Sequence, residues 1–203
     1  MAKILRSELI RRVQSGDKKT LELLKSNRIV VEFDIGPYVL DELRSQIQEF
    51  ISLDVLPQNA WGFDEFIGVD LPYCDFSDMD MSNVCFSDTN LESSNFRNSN
   101  LTRASFYRCY LIGANFQLAN LPRVSFSMGT DAQNANFLSA QLQIAHFLSC
   151  NLTGADFRMA DVRAANFSSA CLTNANFTLA MYNKDTLFPV GFDPGRFDMQ
   201  MWD

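Results

Sequence analysis

The chain has 203 residues, 47% hydrophobic and 20% charged, with a net charge of −7. This is enough apolar material for a continuous core, yet no run approaches the roughly 18 apolar residues of a membrane helix. The start, Met1-Ala2-Lys3-Ile4-Leu5-Arg6, lacks the apolar stretch of a secretory signal, so the expectation is a cytoplasmic protein.

Residues 1–68 read as a small α-rich region. Helical spacing links Ile4, Leu5, Leu9, Ile10 and Val13, and again Leu21, Leu23 and Leu24, with Gly16-Asp17 between them. Gly36-Pro37 opens a third pattern, with Leu40, Leu43, Ile47, Phe50 and Ile51 on one face. The β-branched run Arg28-Ile29-Val30-Val31-Glu32-Phe33 predicts a short strand. Trp61 and Phe66 lie at multiples of five before Leu71, which allows the next domain to start a few residues before Val69.

From Val69 to Pro189 the chain repeats every five residues. Repeat centres alternate between a leucine-type residue and phenylalanine, from Leu71, Phe76, Met81 and Phe86 through to Leu172 and Phe177. Taking Gly129 as a one-residue insertion makes Ala132 a centre and restores the phase. Two positions before each centre the residue is small or apolar (Cys74, Ala104, Ala135, Ala175), and one position before it is mostly Asn or Asp. A period of five fits neither a helix nor a flat strand, and internal repetition decides the fold before propensity does. Asn and Asp bond to nearby backbone groups, which explains their presence once per turn.

Repeats such as Ala-Asn-Phe-Gln-Leu and Ala-Asp-Phe-Arg-Met resemble those of the pentapeptide-repeat proteins, over about three fifths of the chain. The segment Ala180 to Pro194 is similar to the closing segment of many members, a family abundant in cyanobacteria. The resemblance implies a mainly β fold, a right-handed quadrilateral β-helix with four repeats per coil. Twenty-four centres from Leu71 to Leu187 then make six coils, with Phe stacked on Phe along two opposite faces. The domain expectation is residues 1–68 as an α-rich cap or small domain, 69–189 as the solenoid, and 190–203 as a capping tail with Phe192, Phe197 and Trp202.

Catalysis has little to work with. His146, the one histidine, stands where Asn or Asp usually serves the turn. Asp70, Asp75 and Asp80 fall on different faces at five-residue spacing, and the five cysteines lack metal-ligand spacing, so no enzyme, metal or cofactor is expected. Two binding readings remain. One is a protein-interaction scaffold or regulatory adaptor for a protein partner that the sequence does not name. The other is implied by the resemblance: an acidic DNA mimic that modulates DNA gyrase. A mimic should carry its acids outward, whereas the freely outward positions hold seven bases, Arg97, Arg103, Arg108, Arg123, Arg158, Arg163 and Lys184, against four acids, Asp78, Asp88, Glu92 and Asp185. Stacking the coils by twenty puts Leu118, Leu138, Met159 and Leu179 on one face, beside Arg103, Arg123 and Arg163. That surface is the candidate protein-binding site.

Overall fold

The computed structural model describes residues 2–5, 29–32, 65–68 and 70–202. The chain divides into two compact units, Met1–Asp64 and Glu65–Asp203.

In the first unit, strand β1 (Ala2–Leu5) pairs in parallel with β2 (Ile29–Glu32), Ile4 opposite Val31. Strand β2 falls inside the predicted run Arg28 to Phe33. Ile4 and Leu5 correct the helical reading. Apolar residues in so short a run carry no decisive period, and the Ile-Val-Val partner supplies the ladder. The helical patterns at Leu9 to Leu24 and Leu40 to Ile51 lie outside the described residues, as does Trp61.

The second unit is a β-solenoid of about seven turns with almost no helix. Its four sides are named here by their centres. On the first Phe side Phe66, Phe86, Phe106, Phe126, Phe147, Phe167 and Phe188 follow one another, and neighbouring rings stack at 4.7–5.1 Å up to Phe167 and 5.8 Å at Phe188. The second Phe side carries Phe76, Phe96, Phe116, Phe137, Phe157 and Phe177, stacked at 4.6–5.0 Å. That rise is the ordinary spacing of neighbouring strands. The columns also meet edge to face across the core, Phe116 against Phe126 at 5.8 Å. Such pairs add about 0.5–1.5 kcal/mol beyond buried area. The first Leu side runs Leu71, Leu91, Leu111, Ala132, Leu152 and Leu172, and the second Met81, Leu101, Leu121, Leu142, Val162 and Tyr182.

At nearly every corner the residue two after the centre takes a left-handed backbone: φ is 58° at Arg103 and 61° at Leu118. A bond then runs back to the centre's carbonyl, as from Ala119 N–H to Phe116 O at 3.0 Å. The Asn or Asp before the centre accepts from the first corner N–H, as Asn136 does from Leu138 at 3.0 Å and Asn176 from Thr178 at 3.0 Å. Where Cys85, Ser105 and Ser125 replace it, the chain stays extended as β4 (Cys85–Ser87), β5 (Ser105–Tyr107) and β6 (Ser125–Ser127). These join β3 (Glu65–Ile67) and β7 (His146–Phe147) in one parallel sheet along the first Phe side. Tyr110 and Gln141 precede tight turns without a carboxylate or short carboxamide, with Ala114 N–H to Leu111 O and Ala145 N–H to Leu142 O both 3.0 Å. The side-chain bond therefore assists the turn and does not dictate it.

Gly129 is the single insertion the repeat phase requires. Phe126 pairs with Phe147, Tyr110 bridges to Asp131, and Ala132 is fully buried as a centre. Met128 and Gly129 both have positive φ, 57° and 83°, which glycine tolerates at the second position without strain. A second insertion overturns the expectation that Leu187 is a centre. Thr186 is buried, Leu187 bridges to Asn166 and is 50% exposed, and Phe188 is the residue that stacks on Phe167. With Phe66 buried at the other end, the turns exceed the six counted from the repeats.

The tail returns over the last coil. Strand β8 (Met181–Tyr182) pairs in parallel with β9 (Gln200–Met201), and the Phe192 ring stacks on Phe188 at 4.4 Å and meets Phe177 edge-on at 5.2 Å. Asp193 caps the short 3-10 turn Pro194–Phe197 by accepting from Gly195 N–H.

Candidate interaction surface

The repeat fixes which side chains face out. On the second Phe side the corner residues stack as Asp78, Asn98, Leu118, Ser139, Met159 and Leu179, and the residues just before them as Ser77, Arg97, Gln117, Leu138, Arg158 and Thr178. Leu118, Met159 and Leu179 are 43%, 54% and 45% exposed, and Leu138 is half-buried. Leu118 N–H donates to Leu138 O at 3.0 Å, so these two lie on adjacent coils. The structure thus brings the four apolar residues onto one side. All three corner members hold left-handed backbones, φ 59–61°. For a bulky side chain that conformation costs about 1–2 kcal/mol, where glycine or asparagine would cost less.

The arginines separate into two kinds. Arg103 and Arg123 stack on the corner of the second Leu side, exposed, with no side-chain hydrogen bond or ion pair to the described residues. Arg163 does not join them, which corrects its place in the expected column. It sits one position earlier in its repeat and grips Asp161 with two bonds of 2.6 and 2.8 Å, while Ile144 and Ala164 continue the column. Burial opposes charge on Asp161. The bonds from the Arg163 side chain and backbone, then the one from Gln143, with the guanidinium charge, outweigh it and hold the carboxyl below the usual range. Arg158 is tied to Asp156 at 2.7 Å and Arg108 to Asp88 at 2.6 Å.

The acids of the first coils are mostly engaged between coils. Asn90 donates to Asp70 at 2.6 Å, Asn95 to Asp75 at 3.0 Å, Asn98 to Asp78 at 2.7 Å and Asn100 to Asp80 at 2.9 Å. Sequence reasoning missed this ladder, although twenty-residue spacing of Asp and Asn carries the signal. Ile144, 42% exposed between Arg123 and Lys184 in their column, was also missed. Other exposed apolar residues, Ile67, Met128 and Leu148, belong to the first Phe side.

Elsewhere the chemistry is quiet. His146 is exposed. Burial pushes the Cys109 thiol up to about 11 and Cys150 further still, while hydroxyl contacts from Thr153 and Thr173 lower exposed Cys171 to about 7. Among the described residues no group of three or more His, Cys, Asp or Glu side chains is placed to hold a metal, and no helix is long and apolar enough to cross a membrane.

Two family models match consecutive stretches: pentapeptide repeats (8 copies) over residues 65–98 and pentapeptide repeat region over 99–177. No curated protein matches the chain. Among solved structures it is similar to HetL, a pentapeptide repeat protein involved in heterocyst differentiation regulation in the cyanobacterium Nostoc sp. strain PCC 7120, at 17% identity and a TM-score of 0.42, covering 62% of this chain and 81% of that one. A trypsin-treated form of QnrB1, a plasmid-mediated fluoroquinolone resistance protein, matches at 19% identity and a TM-score of 0.39, covering 72% and 85%. The pentapeptide repeat protein alr5209 from Nostoc PCC 7120 matches at 26% identity and a TM-score of 0.30, covering 51% and 84%.

Proposed function

The chain belongs to the pentapeptide-repeat family, and from that premise we propose that it is a non-catalytic scaffold or adaptor that binds a partner protein on the second Phe side of the solenoid. The carrying observation is the row Leu118, Met159 and Leu179, apolar side chains held out at corners where their backbone is costly, with Leu138 beside them and unpaired Arg103 and Arg123 on the next corner. Apolar anchors inside a charged rim are the usual anatomy of a binding patch, and a few anchors carry most of its energy. Residues 1–68 act in this reading as a cap or second recognition element and residues 190–203 as the closing cap. A cytoplasmic setting belongs to it too, and Cys109, Cys150 and Cys171 form no disulfide.

The test begins with affinity capture from the native organism. Leu138→Ser with Met159→Ser should leave the melting curve near that of the parent and weaken the captured partner at least tenfold, about 1.4 kcal/mol. Arg123→Glu should slow association with an acidic partner surface and reduce its salt sensitivity. Unchanged recovery with the folded double variant would remove this side from the proposal.

One observation favours the gyrase alternative: seven acidic residues and no basic one stand in the stretch from Glu65 to Glu92. Against it, Asp70, Asp75, Asp78 and Asp80 accept from asparagines of the next coil, and Asp88 is paired with Arg108. Saturable modulation of gyrase supercoiling, abolished by Asp78→Ala with Asp88→Ala, would reverse the preference.

A further inference from the structure

Among the described residues, the last coil is covered on three sides and open on the fourth. N–H groups that point along the rod normally meet a carbonyl of a neighbouring coil: Leu152 N–H bonds Cys171 O and Gly154 N–H bonds Thr173 O of the following coil, both at 2.9 Å, while Cys171 N–H returns to Cys150 O of the preceding one. The chain's own tail repeats this pattern on two sides. Leu187 donates to Ala165 O at 2.9 Å and accepts from Phe167 at 2.7 Å, and Gln200 donates to Ala180 O at 2.9 Å in the β8–β9 pair. On the second Phe side Phe192 and Phe197 lie against Phe177. On the first Leu side the pattern stops. Among the described residues nothing accepts from the N–H groups of Leu172 and Asn174, and nothing donates to Ala170 O. The column below, Leu71, Leu91, Leu111, Ala132 and Leu152, is wholly buried, whereas Leu172 is half-exposed. Above it lies a cavity of about 600 Å³ bounded by Leu172, Asn174, Ala175, Phe192, Arg196 and Phe197.

We infer that this slot binds an extended segment of a partner protein, laid parallel to the coil as one more rung. The ladder specifies three consecutive residues. The first donates its N–H to Ala170 O and accepts from Leu172 N–H, and the third accepts from Asn174 N–H. The middle residue points inward onto Leu172, and because the column beneath is leucine and alanine, an aliphatic side chain of leucine size fits it. The main-chain bonds supply attraction without sequence preference, and the one buried side chain supplies selection. This inference does not rest on the proposed surface at Leu118 to Leu179.

The probe is the blocked pentapeptide Gly-Asn-Leu-Thr-Gly, titrated into the full, nitrogen-15-labelled chain. The amides of Leu172 and Asn174 should move downfield and exchange more slowly with solvent as peptide is added. Replacing the peptide's leucine by alanine, or methylating the nitrogen of its asparagine, should each weaken binding at least tenfold. Leu172→Glu, which puts a carboxylate in the slot, should abolish it, and the methylated peptide gives the same answer without altering the fold. Unmoved amides at millimolar peptide, or equal binding of the methylated peptide, would overturn the inference. So would protection of both amides before any peptide is added, since the slot would then be filled by this chain or a second copy.

Discussion

The coils before Phe96 and those after it share one backbone and one Phe core, yet they are joined differently. In the earlier coils the small inward sites include hydroxyls that reach carbonyls: Thr89 to Phe66 O at 3.1 Å and Ser94 to Leu71 O at 2.8 Å. Outside, Asp–Asn ladders connect coil to coil. In the later coils the inward sites are mostly alanine, wholly buried at Ala114, Ala135, Ala155 and Ala160, and the corners carry arginines and exposed apolar residues. Polar bonding between rungs is thus denser in the earlier half, while close packing dominates the later one, where Thr130 to Phe106 O at 2.9 Å and Thr186 to Val162 O at 3.1 Å are the inward hydroxyls that still bond between coils.

If the two halves differ only at these secondary positions, the core should not distinguish them. Phe76→Ala and Phe157→Ala, both fully buried in the same column, should each cost about 3–5 kcal/mol in urea melts. A clear gap between them would mean that one half relaxes around the cavity and the other does not.

The close-packed inward sites of the later half are tested next. Ala135→Leu forces three extra carbons into a wholly buried inward site and should cost about 1–3 kcal/mol. Ala132→Leu extends a column whose neighbours are Leu111 and Leu152 and should be tolerated better. Equal losses would deny that the later coils are packed to capacity at the alanine sites.

Acid separates the halves by a smaller margin. Asp75 is held below the usual range by Ser77 and Asn95 against the opposing effect of burial, and Asp161 chiefly by Arg163 against stronger burial. A carboxyl depressed in the folded state contributes stability that is present above its unfolded value, about 4, and lost as pH falls through the folded value. Asp161→Asn should therefore flatten the stability profile below about pH 4 by about 1 kcal/mol. Asp75→Asn should flatten it less, because Asp75 is exposed and screened.

The smallest effect is chemical. Near pH 7 iodoacetamide should label Cys171 in the native chain, since its thiol sits near 7, and should spare buried Cys109 and Cys150 until urea unfolds the solenoid. Simultaneous labelling of all three would contradict the close packing of the later half.

Much of this was legible before the structure. The Leu/Phe alternation set the columns, and taking Gly129 as a single insertion restored their phase; in the structure Gly129 holds the second of two successive left-handed positions, after Met128. The second insertion was hidden. Leu187 and Phe188 are adjacent apolar residues, either of which fits a centre, and only the burial of Thr186 breaks the tie. The corner row Leu118, Met159 and Leu179 followed from arithmetic on the repeat. The same arithmetic, carried through the Gly129 insertion, puts Ile144 and Ala164 at the corner and Arg163 one position earlier; what it did not show was the grip of Arg163 on Asp161. Ile4 and Leu5 were misread because pairing with a strand more than twenty residues away decided their conformation.

The stacked rungs also give the molecule a mechanical character. Each described coil is held to its neighbours by parallel bonds and ring contacts at one rise, and no described bond reaches a coil farther along the rod. A chain pulled from Trp202 first peels the β9 rung and the Phe192 stack, and after that coils leave singly. Each release of twenty or twenty-one residues lengthens the tether by about 65–70 Å at the extended reach of a polypeptide. The solenoid would act under tension as a ratcheted spool, paying out slack in equal steps rather than failing at once.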